Sequence, residues 1–259
     1  LLGKGLPVSA DARIDSLLAA AYSDGIVEQQ IKGLVYKLTI LQKKEEFSAQ
    51  KAIDAVRLRL ESARFPSSAI LHSMLAQLYW SYYQSNRYLF SNRTQTTNFQ
   101  RDDIATWDLA TIAEETIKAY RLSLQRPQDL QTISIWDYPA IINKGGADEK
   151  QLRPTLYDFL AWRALDFYVN DESGLTRPPD EFKLDKSGYF SSASSFAAMS
   201  IDSPDSLSLN YLAVNLFQDL IGFHLADSDP AARMEANLDR LSFVYRKSSL
   251  ADKASLYEK

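Results

Sequence analysis

The chain has 259 residues, a formal net charge of −4 and no cysteine. Charges of both signs are spread along it without a basic cluster, which excludes a dedicated nucleic-acid binder. The missing cysteines exclude disulfides, thiolate metal sites and cysteine nucleophiles, and no apolar run approaches the roughly 18 residues of a membrane span.

The first predicted elements are two helices joined at a glycine. Ser9 suits the N-cap of the first helix, whose apolar residues recur at the i, i+3, i+4, i+7 spacing of one face. That face consists of Ile14, Leu17, Leu18, Ala21 and Tyr22. Gly25 follows at the position where a left-handed residue ends a helix. The apolar face of the second helix consists of Ile31, Leu34, Val35, Leu38 and Leu41, so the pair predicts an antiparallel hairpin.

A second hairpin of similar size follows. Its first helix ends before Phe65-Pro66 and has an inner face of Ile53, Val56 and Leu60. Its second helix has an inner face of Ile70, Leu71, Met74, Leu75, Leu78 and Tyr82. Residues 10–90 therefore predict two hairpins of about 40 residues each, the period of tetratricopeptide-like arrays and other α-solenoids.

The rest of the chain is predicted to alternate helices with irregular connections. Irregular segments are expected at residues 91–102, 127–153 and 170–205, the last being a long insertion with a short strand near Phe196–Ile201. The final helix starts at Asp229-Pro230, and its inner face is predicted at Leu238, Leu241, Val244 and Tyr245. The predicted fold class is all-α, a single domain of stacked antiparallel helical hairpins over residues 1–259. The ends of the sequence indicate a fragment of a longer polypeptide.

Residue types that carry catalysis or bind metals are few and scattered. His72 and His224 lie on predicted helices without a second His or Cys nearby, so we expect ordinary helix or surface residues. Adjacent carboxylates do not flank a glycosidic bond, and no phosphate loop, nucleophile elbow or zinc-protease motif is present. We therefore predict no enzyme, no catalytic residue, no bound metal and no cofactor. A hydrolase in which His224 acts with Asp227 or Asp229 is the remaining catalytic hypothesis.

The segment LYWSYYQSNRYLFSNRTQT (78–96) holds six aromatic residues in its first thirteen positions. Aromatic side chains around most of a helix are typical of a helix buried between two neighbours, which is the interpretation we favour and which predicts a buried Tyr82. Aromatic residues with amides and arginines also form platforms for sugars or peptides. This alternative predicts a binding surface at Trp80, Tyr83, Arg87, Tyr88 and Arg93.

Six segments, in order along the chain, form a pattern that extends beyond any one motif. They are Gly5-Leu6-Pro7, IKGLVYKL (31–38), FPSSAILHSMLAQLYWSYYQSNRYLFSNRTQT (65–96), DDIATWDL (102–109), LRPTLYDFLAWRALDFY (152–168) and GFHLADSDPAARMEANLDRLSFVY (222–245). Together they resemble the N-terminal helical region of bacterial (Bacteroidetes-type) alpha-2-macroglobulin family proteins.

This resemblance implies a helical segment ahead of macroglobulin β-domains in a secreted, often lipid-anchored protein that traps proteases. Neither the bait segment nor the Cys-Gly-Glu-Gln thioester that carries trapping can be assigned here, because the chain has no cysteine and no β-sandwich pattern. The resemblance thus implies a non-catalytic accessory domain in the periplasm or at the outer membrane. Its expected partners are downstream domains of its own chain, proteases and other envelope proteins. The alternative is a free-standing helical-repeat lipoprotein module that binds glycan or peptide.

Overall fold

A computed structural model of the chain describes residues 7–44, 49–90, 100–141, 149–170 and 182–258. Every regular element in these residues is helical, which confirms the all-α prediction. The prediction of a short strand near Phe196–Ile201 is wrong, because Ala193–Ala197 form a helix instead. Ser192 begins that helix, since its Oγ accepts the backbone N–H of Ser195 and so favours helical geometry.

Contacts divide the chain into two compact units, Leu1–Lys144 and Gly145–Lys259. Each unit has its own set of helices and its own buried apolar residues. A single domain over residues 1–259 stays a prediction. The tetratricopeptide-like or solenoid stacking of hairpins also stays a prediction.

The first unit is built around helix-on-helix packing. Its helices are α1 Pro7–Ser23, α2 Val27–Lys44, α3 Ala49–Leu60, α4 Ser67–Ser85, α5 Arg87–Phe90, α6 Leu109–Ser123 and α7 Pro127–Gln131. Helix α1 packs on α2, α3 packs on α4, and α4 packs most extensively on α6. Because α3 and α6 both contact α4, the helix that carries the aromatic segment lies at the centre of this unit.

Two glycines shape the hairpin of α1 and α2. Gly25 has a φ of +68°, in the left-handed region that favours glycine, so the predicted end of the first helix is confirmed. Gly33 lets the helices approach closely, because a Cβ placed there would lie 2.5 Å from Cδ2 of Leu18. Leu18 is itself buried, so this close approach is part of the hairpin's packing.

The buried faces of this hairpin are narrower than predicted. Leu17, Tyr22 and Val35 were expected to face inward, yet all three are exposed. The buried positions are Ala10, Ile14, Leu18, Ala21, Ile31, Leu34, Leu38 and Ile40. Since α1 packs mainly on α2, only one side of it is covered, and apolar residues beside that contact remain in solvent.

Helix α6 begins at a local signal and then joins the core of α4. The Oδ1 of Asp108 accepts the N–H of Thr111 at 2.8 Å, which caps the helix. Trp107, directly before the cap, is buried against Tyr79 of α4 with ring centroids 5.2 Å apart. The polar start of α6 and the aromatic contact next to it together place this helix along α4.

The second unit combines helices with a longer irregular segment. Its helices are α8 Glu149–Leu152, α9 Leu156–Tyr168, α10 Ala193–Ala197, α11 Leu209–Phe223, α12 Ala231–Lys247 and α13 Lys253–Tyr257. Helix α11 packs on α9, α10 and α12. Helix α9 begins with a capping box, in which Thr155 Oγ1 accepts the N–H of Asp158 and Asp158 Oδ2 accepts the N–H of Thr155.

Residues 182–208, between α9 and α11, contain little regular structure, yet several of their side chains are buried. These are Phe182, Leu184, Tyr189, Phe196, Ile201 and Ser208. Gln218 of α11 donates hydrogen bonds to the carbonyls of Phe196 and Met199. Ser248, after α12, donates to the carbonyl of Leu184 at 2.8 Å. Side chains from the neighbouring helices thus supply the hydrogen bonds that an irregular backbone cannot make with itself.

Arg240 occupies the middle of the buried face of α12. Its guanidinium donates to the carbonyls of Tyr189 at 3.1 Å and Ser191 at 2.8 Å, and burial lowers the pKa of Arg240 to about 10. The buried face consists of Ala232, Ala236, Arg240, Phe243 and Val244. The prediction that Leu238 and Tyr245 face inward is wrong, because both are exposed. The buried face of α12 includes the charged Arg240 and leaves these two apolar residues outside it.

Candidate functional site

The aromatic residues at the end of α4 mainly form packing contacts inside the first unit. Trp80 is only 7% exposed, and its ring centroid lies 4.8 Å from that of Tyr83. Tyr79 is buried against Trp107. Tyr82 is buried as well, which confirms that prediction of the favoured interpretation. Rings enclosed in this way stabilise helix contacts and do not present their faces to a ligand.

The residues of the predicted binding surface differ in exposure. Tyr83 is half-buried beside Trp80, whereas Arg87 and Tyr88, at the start of α5, are exposed. Tyr88 is 71% exposed. Arg93 lies outside the described residues. The structure therefore brings Trp80 and Tyr83 together inside the unit and leaves Arg87 and Tyr88 on the surface, and the binding surface stays a prediction.

A polar cluster that the sequence predicted only in part lies in the second unit, where His224 sits between two carboxylates. Its Nε2 is 2.7 Å from Oδ1 of Asp158, and its Nδ1 is 2.6 Å from Oδ2 of Asp227. Asp158 and His224 are buried, whereas the side chain of Asp227 is 40% exposed. The expectation of an ordinary helix or surface residue is wrong for His224, because a turn after α11 places its ring against the start of α9.

Two carboxylates favour the cationic form of this imidazole. Burial lowers the pKa of His224, but the hydrogen bonds and negative charges of Asp158 and Asp227 outweigh burial and raise it above the ordinary 6.5. Two acceptors need two donors, and only the protonated ring carries an N–H on both nitrogens. A general base needs a free ring nitrogen, which His224 does not offer. The cluster therefore connects α9 to the end of α11.

The hydrolase hypothesis paired His224 with Asp227 or Asp229. Asp227 does contact the ring, but Asp229 instead accepts the N–H of Ala231 at the start of α12. Asp158, the deeper partner, is 66 residues away in sequence. Its only local signals are a carboxylate within an apolar helix and the capping-box spacing from Thr155. Neither signal identifies the distant residue that it contacts.

Metal clusters and membrane-spanning helices are both absent from the described part of the chain. Within it, no group of three or more His, Cys, Asp or Glu side chains is arranged to hold a metal ion. Over the same ranges, no helix is long and apolar enough to cross a membrane. His72 is half-buried on α4, and burial lowers its pKa below the ordinary value. The pKa of His72 is thus shifted in the opposite direction to that of His224.

An apolar groove of about 430 Å³ runs along α1 and α2 in the first unit. Leu17, Ile26 and Tyr36 line it, and all three are exposed, Leu17 at 61%. Asp24 and Lys32 also line the groove and add one charge of each sign. The groove thus presents a contiguous apolar surface with a polar margin.

No family model, no curated protein and no solved structure matches the chain.

Proposed function

We propose that the chain is a non-catalytic helical interaction domain of a bacterial alpha-2-macroglobulin-like envelope protein. The whole protein would lie in the periplasm or at the outer membrane and trap proteases, while this domain packs against downstream domains of its own chain. The resemblance of six sequence segments supports the family. The apolar groove along α1 and α2 is the structural observation that carries the interaction role.

The apolar surface of the groove has a higher free energy in water than when it is buried against a partner. Burying a Leu, Ile or aromatic side chain stabilises a complex by about 1.5–3 kcal/mol before other costs of association. Leu17, Ile26 and Tyr36 share one groove, and contiguous apolar surface with a polar margin is typical of protein interaction sites. A β-sheet or helix face of the same parent protein is the occupant that the resemblance favours.

The geometry of His224 supports the non-catalytic part of the proposal. Both ring nitrogens are bound by carboxylates, so the ring neither accepts a substrate proton nor activates a hydroxyl. Its inner partner Asp158 is buried and also caps α9. These contacts are those of a structural ion pair between two helices.

Binding to the downstream domains tests the proposal directly. We expect the parent gene to continue beyond Lys259 into macroglobulin-type β-sandwich domains, and the chain to bind those purified domains in isothermal titration calorimetry. Leu17→Lys and Tyr36→Lys should each weaken that binding at least about tenfold, because a charge would be buried in an apolar contact.

Leu58→Lys is the matched control for these two variants. Leu58 is 62% exposed, close to the 61% of Leu17, but it lies on α3 and does not line the groove. Its substitution should leave the affinity unchanged. The proposal fails if the β-domains do not bind, or if Leu17→Lys and Leu58→Lys bind them equally well.

A second candidate function is favoured by the exposure of Tyr88. A free-standing helical-repeat lipoprotein module would use this ring, beside Arg87, to stack on a glycan or peptide. Titration of oligosaccharides and peptides should then change tryptophan fluorescence, and Tyr88→Ala should abolish the change. A flat response across a broad panel would remove this candidate.

A further inference from the structure

A second cleft of the first unit lies where the turn between α1 and α2 meets the turn between α3 and α4. Its volume is about 370 Å³, within the range of small-molecule sites. Ile31, Phe65 and Leu71 contribute apolar lining, and Tyr22 and Gln30 contribute polar groups. The cleft shares no lining residue with the apolar groove, so it is a separate site.

Two arginines line the cleft, and no carboxylate of the described residues lines it with them. Arg59 lies over the ring of Tyr22, 4.7 Å from its centroid, which positions the guanidinium without neutralising its charge. Arg64 is exposed at the same cleft. Within the described ranges neither arginine forms an ion pair, whereas Arg126 of the same unit contacts Asp129 at 2.7 Å. Among the described residues, the lining of the cleft therefore contains two cations and no carboxylate.

The start of α4 adds to this positive field. Ser67, the first residue of α4, lines the cleft, and the 19-residue helix has no side-chain cap and no acidic residue in its first turn. A helix of this length carries a partial positive charge at its N-terminus. Glu61, between the two arginines in sequence, does not line the cleft. The helix end thus reinforces the two arginines, which with the cavity define the site.

We propose that this cleft binds a carboxylate that is joined to an apolar group. The planar guanidinium matches a carboxylate in two parallel hydrogen bonds, and the apolar lining takes the attached group. An inorganic anion alone would leave the apolar lining of a cleft this size unfilled. The C-terminus of a peptide that ends in an apolar residue and a free aryl-alkyl carboxylate both have this chemistry. The site goes beyond the proposed interaction role and does not depend on it.

Calorimetry with three probes tests the assignment. The probes are the acetylated tetrapeptide Ala-Ala-Ala-Phe with a free C-terminal carboxylate, the same peptide as its C-terminal amide, and 3-phenylpropionate. We expect the free acid to bind at least about tenfold more tightly than the amide, because the amide loses charge-assisted hydrogen bonds. Binding of the peptide alone identifies a peptide C-terminus, and equal binding of 3-phenylpropionate identifies a small carboxylate as sufficient.

Substitutions locate the binding in this cleft. Arg59→Gln and Arg64→Gln should each weaken the free acid at least about tenfold, while Arg13→Gln, an exposed arginine of α1 outside the cleft, should not. Thermal melting of each variant shows that it is folded. Equal binding of acid and amide, no binding by any probe, or wild-type affinity in Arg59→Gln and Arg64→Gln overturns the proposal. Equally tight binding of inorganic phosphate overturns its apolar part.

Discussion

The two units of the chain differ in what they bury. Among the described residues, and apart from tyrosine and tryptophan, the buried polar side chains of the first unit are the hydroxyls of Ser67, Ser73, Thr116 and Ser123. The second unit, by contrast, buries side chains of three residue types that can carry a charge, Asp158, His224 and Arg240. The difference shows that units of the same helical fold class can have a core that is almost entirely apolar or a core that includes charged side chains.

The cause lies in the backbone carbonyls for which each unit has to provide hydrogen-bond donors. In the first unit, Thr116 donates to the carbonyl of Ile112 and Ser123 to that of Tyr120, both within one helix. In the second, Arg240 reaches carbonyls of an irregular segment, with Tyr189 lying 51 residues away in sequence. Irregular backbone leaves carbonyls without partners, and long polar side chains reach them where short hydroxyls do not.

The largest expected effect comes from the buried ion pair. Asp158→Ala should lower the free energy of unfolding by about 4–5 kcal/mol, because it leaves the imidazolium of His224 without its inner partner and removes a cap. Urea unfolding measures this loss. Asp108→Ala, which removes only a cap in the first unit, is the matched control and should cost about 1 kcal/mol. Equal losses in the two variants would show that the ion pair contributes nothing.

The first unit should respond most to loss of an aromatic ring. Tyr82→Ala should cost about 3–5 kcal/mol, since Tyr82 is buried on α4 with its ring nearly perpendicular to that of Phe90. Tyr88→Ala, at an exposed position of α5, should cost less than about 0.5 kcal/mol. Chemical denaturation of both variants gives the comparison. A loss near zero for Tyr82→Ala would mean that this face of α4 is open.

Removing the buried guanidinium should have a somewhat smaller effect. Arg240→Met should cost about 2–3 kcal/mol, because the carbonyls of Tyr189 and Ser191 lose a donor while the methionine keeps part of the packing. Arg246→Met, at an exposed position of the same helix, should be close to neutral. Hydrogen exchange should show faster exchange of the amides of residues 182–208 in Arg240→Met alone. Unchanged exchange there would contradict the role given to Arg240.

The helix glycines of the two units should respond in opposite directions. Gly33→Ala should destabilise the chain by about 1–2 kcal/mol, since its Cβ would overlap buried Leu18 by more than the gain in helix propensity offsets. Gly222→Ala, where a Cβ would meet nothing within 4 Å, should stabilise it by about 0.5 kcal/mol. Thermal melting tests both. The same sign in the two variants would refute the close approach of α1 and α2.

The smallest expected effect is a difference in how the histidines of the two units change stability with pH. The contribution of His224 is fully present below about pH 6.5 and is lost as the pH rises through its raised folded pKa. His72 acts in reverse: burial lowers its pKa, so it reduces stability as the pH falls below 6.5. NMR titration of the two imidazoles, assigned with His72→Asn, should place the midpoint of His224 above that of His72. The opposite order would contradict the buried cluster.

Local signals predicted part of the fold and of the candidate sites. Gly25 ended a helix as expected, and the buried Tyr82 followed from the aromatic pattern. Inner faces were less predictable, because Leu17 and Leu238 fit the apolar spacing but are exposed. Asp227 was paired with His224 from its sequence proximity, while Asp158 was missed because residues far apart in sequence give no shared pattern.

The sequence by itself determined that the chain is helical and where several helices end. Those properties depend on hydrogen bonds and side-chain spacing within about four residues, and such spacing is visible in the letters. Only the tertiary structure decided which charges are buried, which apolar residues remain exposed and which arginines share a cleft. Each of these depends on contacts between segments distant in sequence, such as Arg240 with Tyr189. The packing of one helix against another therefore determines whether a given charge is buried or exposed.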